Sequence, residues 1–151
     1  MADQDPSDPE YPCNAGAIRK ASRRITQLYN DALGPSGLRV TQYGLLAELD
    51  RRASAPPTLA ELARATVLDR SALGHNLKPL ERDGFVAVLE GQNDRRERRI
   101  VLTRQGKAKY REAKVLWERA QDRFHEVFGS EQATALRSVL LGIAYDESLT
   151  L

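Results

Sequence analysis

Residues 58–103 read TLAELARATVLDRSALGHNLKPLERDGFVAVLEGQNDRRERRIVLT, and this stretch decides the fold. Thr58-Leu-Ala-Glu61 has capping-box spacing: the threonine oxygen can take an orphan helix N–H while the glutamate reaches back to the threonine N–H. A short helix from Leu59 to about Ala65 is predicted. Asp69 can cap a second helix that carries Leu73, Leu77 and Leu80 on one side, and Asp83-Gly84 ends it at a residue suited to left-handed geometry. Two short helices with a tight connection outline a helix-turn-helix. Phe85-Val-Ala-Val-Leu-Glu90 then reads as a strand, Gly91-Gln-Asn-Asp94 as a polar turn and Arg99-Ile-Val-Leu-Thr103 as a returning strand.

Working outward, Ile18, Ala21, Ile25, Leu28, Tyr29 and Ala32 recur at helical spacing from Asn14 until Gly34-Pro35 stops the pattern. Thr41 precedes a second apolar helix through Tyr43, Leu45, Leu46 and Leu49, closed by Ser54-Ala-Pro-Pro57. On the other side, Thr103 caps a long helix with Tyr110, Ala113, Leu116, Trp117, Ala120, Phe124 and Val127 on its apolar stripe. A break at Gly129-Ser130 leads to a last helix with Ala133, Leu136, Val139, Leu140 and Ile143. The helix-turn-helix and hairpin use about residues 40–103. The flanking helices, about 14–34 and 104–146, carry more apolar surface than so small a centre can cover, which predicts pairing with a second copy about a two-fold axis. Residues 1–12 hold three prolines and four acids with little to bury, and read as a disordered acidic tail before one domain over 13–151.

Composition narrows the function classes. The chain has 151 residues, 41% hydrophobic and 29% charged, as expected of one soluble globular domain. The formal charge is +2. Setting aside Asp3, Asp5, Asp8 and Glu10 leaves 23 basic against 17 acidic residues, a mildly basic body that permits a polyanionic partner. The single Cys13 and the two histidines, His75 and His125, argue against a disulfide framework or a structural metal, and no cofactor is expected. No apolar run approaches a membrane span and no secretory signal opens the chain, so the cytoplasm is the default compartment.

The densest charge lies at the tip and return of the hairpin, where Arg95, Arg96, Arg98 and Arg99 fall within five residues. A projecting two-stranded tip can carry guanidinium groups to phosphates or into a narrow minor groove. The preceding helix offers Arg70, Ser71, Gly74, His75, Asn76 and Lys78, short or donor-rich residues of the kind a recognition helix presents to base edges while the first helix, starting at Thr58, lies across the backbone. The fold class is therefore mainly α with a small β-hairpin, a winged helix-turn-helix with N- and C-terminal dimerisation helices. Pro79 removes the N–H that would bond to His75, which predicts a bend there.

In order and combination, Thr41-Gln-Tyr-Gly-Leu-Leu46, Leu59-Ala-Glu-Leu-Ala63, Leu77-Lys-Pro-Leu-Glu-Arg-Asp-Gly-Phe-Val86, Asp94-Arg-Arg96, Ile100-Val-Leu-Thr103 and Gly106-Lys resemble the MarR family of winged-helix transcription regulators, from about Asn14 to Ile143. The resemblance implies a homodimeric, ligand- or redox-responsive repressor on a pseudo-palindromic operator of double-stranded DNA. It places the DNA contacts on Thr58, Arg70, Ser71, Gly74, His75, Lys78, Arg95, Arg96 and Arg98. The family's Asp-x-Arg motif falls on Asp94 and Arg96: Arg96 is the minor-groove candidate, Arg95 its alternative, and an Asp94–Arg96 salt bridge across the turn is the structural reading of the same pair.

The resemblance also implies an effector, often a small anionic aromatic, in a pocket to which Tyr29, Tyr43, Leu46 and Trp117 are assigned; core packing is the plainer role for each. Cys13, at the start of the first helix with Arg19 and Lys20 near in sequence, is the redox-sensor candidate, as in the family's peroxide-sensing branch, although Val40 stands where a further tyrosine is expected. Two rivals remain. An enzyme would need a nucleophile elbow, a phosphate loop or a metal-binding helix, and none is present. A helical protein-interaction module without DNA binding would use the same amphipathic ends but leave the arginine-rich hairpin without a task.

Overall fold

A computed structural model describes residues 7, 10–91 and 93–151. Helix α1 spans Asn14–Leu33, and a 3₁₀ turn at Gly34–Ser36 leads to α2, Val40–Arg51. Helices α3 (Leu59–Thr66) and α4 (Arg70–Arg82) form the helix-turn-helix, strands β1 (Val86–Glu90) and β2 (Arg98–Leu102) the hairpin, and α5 (Arg104–Phe128) and α6 (Ser130–Ala144) complete the chain. The strands are antiparallel, with Val86 opposite Leu102, Val88 opposite Ile100 and Glu90 opposite Arg98.

Local chemistry explains most boundaries. Thr58 and Glu61 form the reciprocal capping box: Glu61 N–H donates to Thr58 Oγ1 at 3.2 Å and Thr58 N–H to Glu61 Oε2 at 3.0 Å. Asp69 caps α4 by accepting from Ala72 N–H at 2.7 Å, and Thr103 caps α5 by accepting from Gly106 N–H at 3.0 Å. Gly84 carries the chain out of α4 with φ +79°.

One expectation needs correction. Helix α2 starts at Val40 after Arg39, not beyond Thr41, because Asn30 Oδ1 takes the Val40 N–H at 2.8 Å and Gln42 Oε1 takes the Arg39 N–H at 3.0 Å. Those early donors are satisfied before Thr41 is reached. Helix α4 continues through Pro79 to Arg82, the end expected from Asp83-Gly84. Most of the predicted acidic tail lies outside the described residues, but Tyr11 within it packs against Gly16, with the Lys20 ammonium 4.1 Å from its ring centroid.

One core joins the helices to the hairpin. Leu33, Leu45, Leu46, Leu49, Leu62, Leu73 and Leu80 are buried, and Val86, Ile100 and Ala113 close the cluster against the wing and α5. The contact face of α4 is its Leu73-Leu77-Leu80 stripe, which turns the opposite face outward. Between α3 and α4, Val67 adopts φ +52°, the left-handed region, a conformation that costs a β-branched residue about 1–2 kcal/mol. It is the price of a tight turn made without glycine. Helix α6 behaves differently: only Ala133 is buried, while Leu136, Val139, Leu140, Leu141 and Ile143 remain exposed.

Candidate nucleic-acid interface

With Leu73, Leu77 and Leu80 turned inward, helical spacing puts Arg70, Gly74 and Lys78 in one outer row and Ser71 and His75 beside it. Arg70, Ser71, His75 and Lys78 are exposed and Gly74 is half-buried. Asn76 is half-buried and gives its side-chain amide to the Ala72 carbonyl at 2.8 Å, so it serves its own helix rather than the outer face.

Gly74 is informative. A Cβ built there meets nothing within 4 Å, so packing within the chain does not require glycine. A helix-interior glycine nonetheless costs about 1 kcal/mol relative to alanine. Gly74→Ala is therefore expected to stabilise the free protein by about 0.5–1 kcal/mol. A thermal melt will show it, and a lowered midpoint would reveal an unseen packing role.

At the wing, Gly91 N–H donates to the Glu97 carbonyl at 2.6 Å and Glu97 N–H to the Asp94 carbonyl at 3.0 Å, closing the tip. The Asp94 carboxylate accepts from the Arg96 backbone N–H at 2.9 Å. This corrects the expected salt bridge: among the described residues the Arg96 guanidinium forms no ion pair with Asp94. The short aspartate side chain reaches the nearer main-chain donor two residues on, as in an Asx turn, and leaves the long arginine side chain free to project. Arg95, Arg96 and Arg98 are all exposed.

Arg99, the fourth arginine of the run, has a different task. It is half-buried, donates from Nη1 to the Pro56 carbonyl at 2.6 Å, pairs with Glu97 and lies 3.8 Å from Glu61. Ile100 N–H bonds to the Pro57 carbonyl at 2.9 Å, and Thr58 forms a β-bridge with Arg99. These contacts anchor the returning strand to the segment before α3. They bring the wing, the half-buried Thr58 and the helix-turn-helix into one unit. No sequence signal separated Arg99 from its neighbours, because Pro56 and Glu61 lie about 40 residues away.

Of the four residues assigned to an effector pocket, Tyr43 and Leu46 belong to the core, Trp117 packs against it and Tyr29 is buried. Leu46 is 0% exposed and touches no space that a water-sized molecule could reach. Tyr43 is stacked between Tyr110 and Trp117, each ring centroid 5.6 Å away. Burial first, and Tyr110 second, push its phenol well above the ordinary range. Tyr29 is buried with its hydroxyl on Gln121 Oε1; burial raises its pKa against the opposing charge of Arg137. Aromatic residues at this spacing fill the core between α1, α2 and α5. An open apolar groove of about 610 Å³ instead runs beside Ile18, Ala21, Ile25, Val40, Leu136 and Leu140.

Cys13 is exposed at the N-cap of α1, where its Sγ accepts from Gly16 N–H at 3.3 Å. Lys20, expected to favour its thiolate, sits over the Tyr11 ring instead. Among the described residues no group of His, Cys, Asp and Glu side chains has metal-ligating geometry, and no helix is long and apolar enough to cross a membrane.

This geometry has counterparts. The MarR family model matches residues 36–97, which span α2, the helix-turn-helix and most of the wing. The uncharacterised HTH-type transcriptional regulator YwoH of Bacillus subtilis is 32% identical over 98 residues, covering 65% of this chain and 69% of YwoH. The crystal structure of the M. tuberculosis transcriptional regulator MosR in complex with DNA matches with a TM-score of 0.77 and 33% identity over 91% of this chain and 99% of MosR. The transcriptional repressor CouR, bound to a 23-mer DNA duplex, matches with a TM-score of 0.78 and 28% identity over 87% of this chain and 92% of its own; CouR is from Rhodococcus jostii RHA1. Together these matches extend over the helix-turn-helix, the hairpin and the flanking helices, and on these grounds the chain belongs to the MarR family of winged-helix transcriptional regulators.

Proposed function

We propose that this regulator is a homodimeric, sequence-specific binder of double-stranded DNA, acting in the cytoplasm as a repressor on a pseudo-palindromic operator. The observation that carries the reading is the division of labour within one basic run. Arg99 is spent inside the fold, whereas Arg95, Arg96 and Arg98, on the hairpin that directly follows α4, stand exposed. Arg70, Ser71, Gly74, His75 and Lys78 would face base edges and phosphates in the major groove, Thr58 would face the backbone, and Arg96 the minor groove.

The exposed row on α6 and the groove beside α1 support the dimer. A helix with Leu136, Val139, Leu140, Leu141 and Ile143 all exposed presents a contiguous apolar face of the kind that marks an interaction site. A two-fold partner places like against like. The structures of MosR in complex with DNA and of CouR bound to a 23-mer DNA duplex support the DNA-binding part of the reading.

Selection of bound fragments from the source genome tests the whole reading. The recovered sites are expected to be inverted repeats with half-sites about 10 base pairs apart, centre to centre. Fragments bound without symmetry or sequence preference would overturn it.

Control by a small aromatic or anionic effector, or by oxidants acting on Cys13, belongs to the same proposal. The crystal structure of CouR with p-coumaroyl-CoA supports the first and the exposed thiol the second. Peroxide that weakens operator binding in the parent and equally in Cys13→Ser would remove the thiol from control.

A further inference from the structure

The α3–α4 turn is held from outside the helix-turn-helix. Tyr145 follows directly on α6 and continues its hydrogen bonding, with its N–H on the Leu141 carbonyl at 3.1 Å, so the last turn of α6 sets where its ring stands. From there its hydroxyl donates to the Ala65 carbonyl at 2.5 Å, across 80 positions of sequence. Ala65 lies in the last turn of α3, where carbonyls lack helical partners and can accept an outside donor. Two residues on, Val67 holds the left-handed conformation that redirects the chain into α4. The end of α6 and this turn face each other across a groove walled by Ala63, Val67 and Leu68 on one side and Ala144, Tyr145 and Asp146 on the other.

We propose that Tyr145 is a positioning residue for DNA binding: its hydroxyl on the Ala65 carbonyl ties the end of α6 to the α3–α4 turn and fixes the recognition helix relative to the flanking helices. Helix α6 packs chiefly on α5, and this bond carries its end to the helix-turn-helix. The turn it holds is the one place among the described residues where a non-glycine backbone takes a positive φ. A strained turn stays in place only while its surroundings determine it, and the tyrosine supplies one such restraint. The functional consequence rests on the proposed two-fold DNA complex. There both recognition helices must meet one duplex at a set spacing, and the restraint acts twice.

Tyr145→Phe keeps the ring and removes only the donor. Two measurements on the full chain test it. Amide hydrogen exchange is expected to quicken at Val67 and Leu68, which close the turn on Arg64 and Ala63, and to stay at the parent rate in Tyr29–Leu33 of α1. Affinity for the fragment selected by the parent protein is expected to fall about three- to tenfold, the scale of losing one modest hydrogen bond in each of two copies, while affinity for a random-sequence duplex stays the same. Unchanged exchange at the turn, or exchange that rises throughout the chain, overturns the proposal. Faster exchange at the turn with unaltered affinity for the selected fragment also overturns it, because the bond would then hold the turn without positioning the helix. If the parent itself shows no preference for any fragment, the DNA reading fails, and the exchange result alone decides whether Tyr145 restrains the turn.

Discussion

Gly106→Ala is expected to destabilise the free protein by about 3 kcal/mol, read as a lower denaturant midpoint at an unchanged m-value. Gly106 is buried in the first turn of α5. A Cβ there would lie 2.8 Å from the carbonyl carbon of Phe85, 3.2 Å from its Cα and closer still to its oxygen. These are backbone atoms, so no rotamer change can relieve the contact. Phe85 is held on both sides: its N–H donates to the Leu80 carbonyl at 2.8 Å and its carbonyl accepts from Thr103 N–H at 3.1 Å. Thr103 Oγ1 also donates to the Gly84 carbonyl at 2.5 Å.

Moving Phe85 therefore strains the end of α4, the start of the wing and the cap of α5 together. Alanine's better helix propensity returns only about 1 kcal/mol, so the clash dominates. A midpoint equal to the parent's would show that α5 and Phe85 are not in such close approach. The contrast with Gly74 is instructive, since the same substitution on the outer face of α4 meets open space and carries the opposite expected sign.

Arg96→Ala should weaken binding to the selected operator by about 1–3 kcal/mol, roughly five- to 150-fold, and leave the melting temperature of the free protein unchanged. The two halves of this expectation have one cause. Arg96 serves the fold through its main-chain N–H on Asp94, which the substitution keeps, while its guanidinium is exposed and adds no ion pair within the described chain. Removing it subtracts from the DNA contact without loosening the wing. Binding should also become less steeply salt-dependent wherever the lost contact is to phosphate, since each neutralised phosphate contributes about 0.9 to the slope. Truncating Arg99 would instead release Pro56 and Glu97 and lower stability with affinity, and so would not isolate the DNA contact. Undiminished promoter binding by Arg96→Ala would take away the best support for the wing's role and favour a protein-docking module.

Much of the architecture was legible from residues in short windows. Thr58 with Glu61, Asp69 ahead of Ala72, Thr103 ahead of Gly106 and Gly84 after α4 act over three or four positions, so caps and stops could be read where they stand. The apolar periods of α4 and α5 likewise announced which faces turn inward. Elsewhere local signals misled. Thr41 looked like the start of α2, but Asn30, ten residues before Val40, and Gln42 had already satisfied the donors that a cap would serve. For Tyr43 and Leu46 the sequence left pocket and core roles open, and only the folded chain shows Tyr110 and Trp117 stacked on the first and the core around the second.

What the amino-acid order determined by itself is the succession of helices and hairpin, because caps, turn residues and periodicity act through the backbone of their immediate neighbours. What only the folded chain decided is how like residues divide their tasks. Arg99 and Arg96 stand in one basic run, yet one is bound to Pro56 and the other projects, since distant carbonyls come within reach of the first alone. Tyr145 gained its partner in the same way, from a helix 80 residues earlier that no local pattern places beside it. Hydrogen bonds and close packing extend only a few ångströms, so partners distant in sequence become visible only once tertiary structure has set those distances.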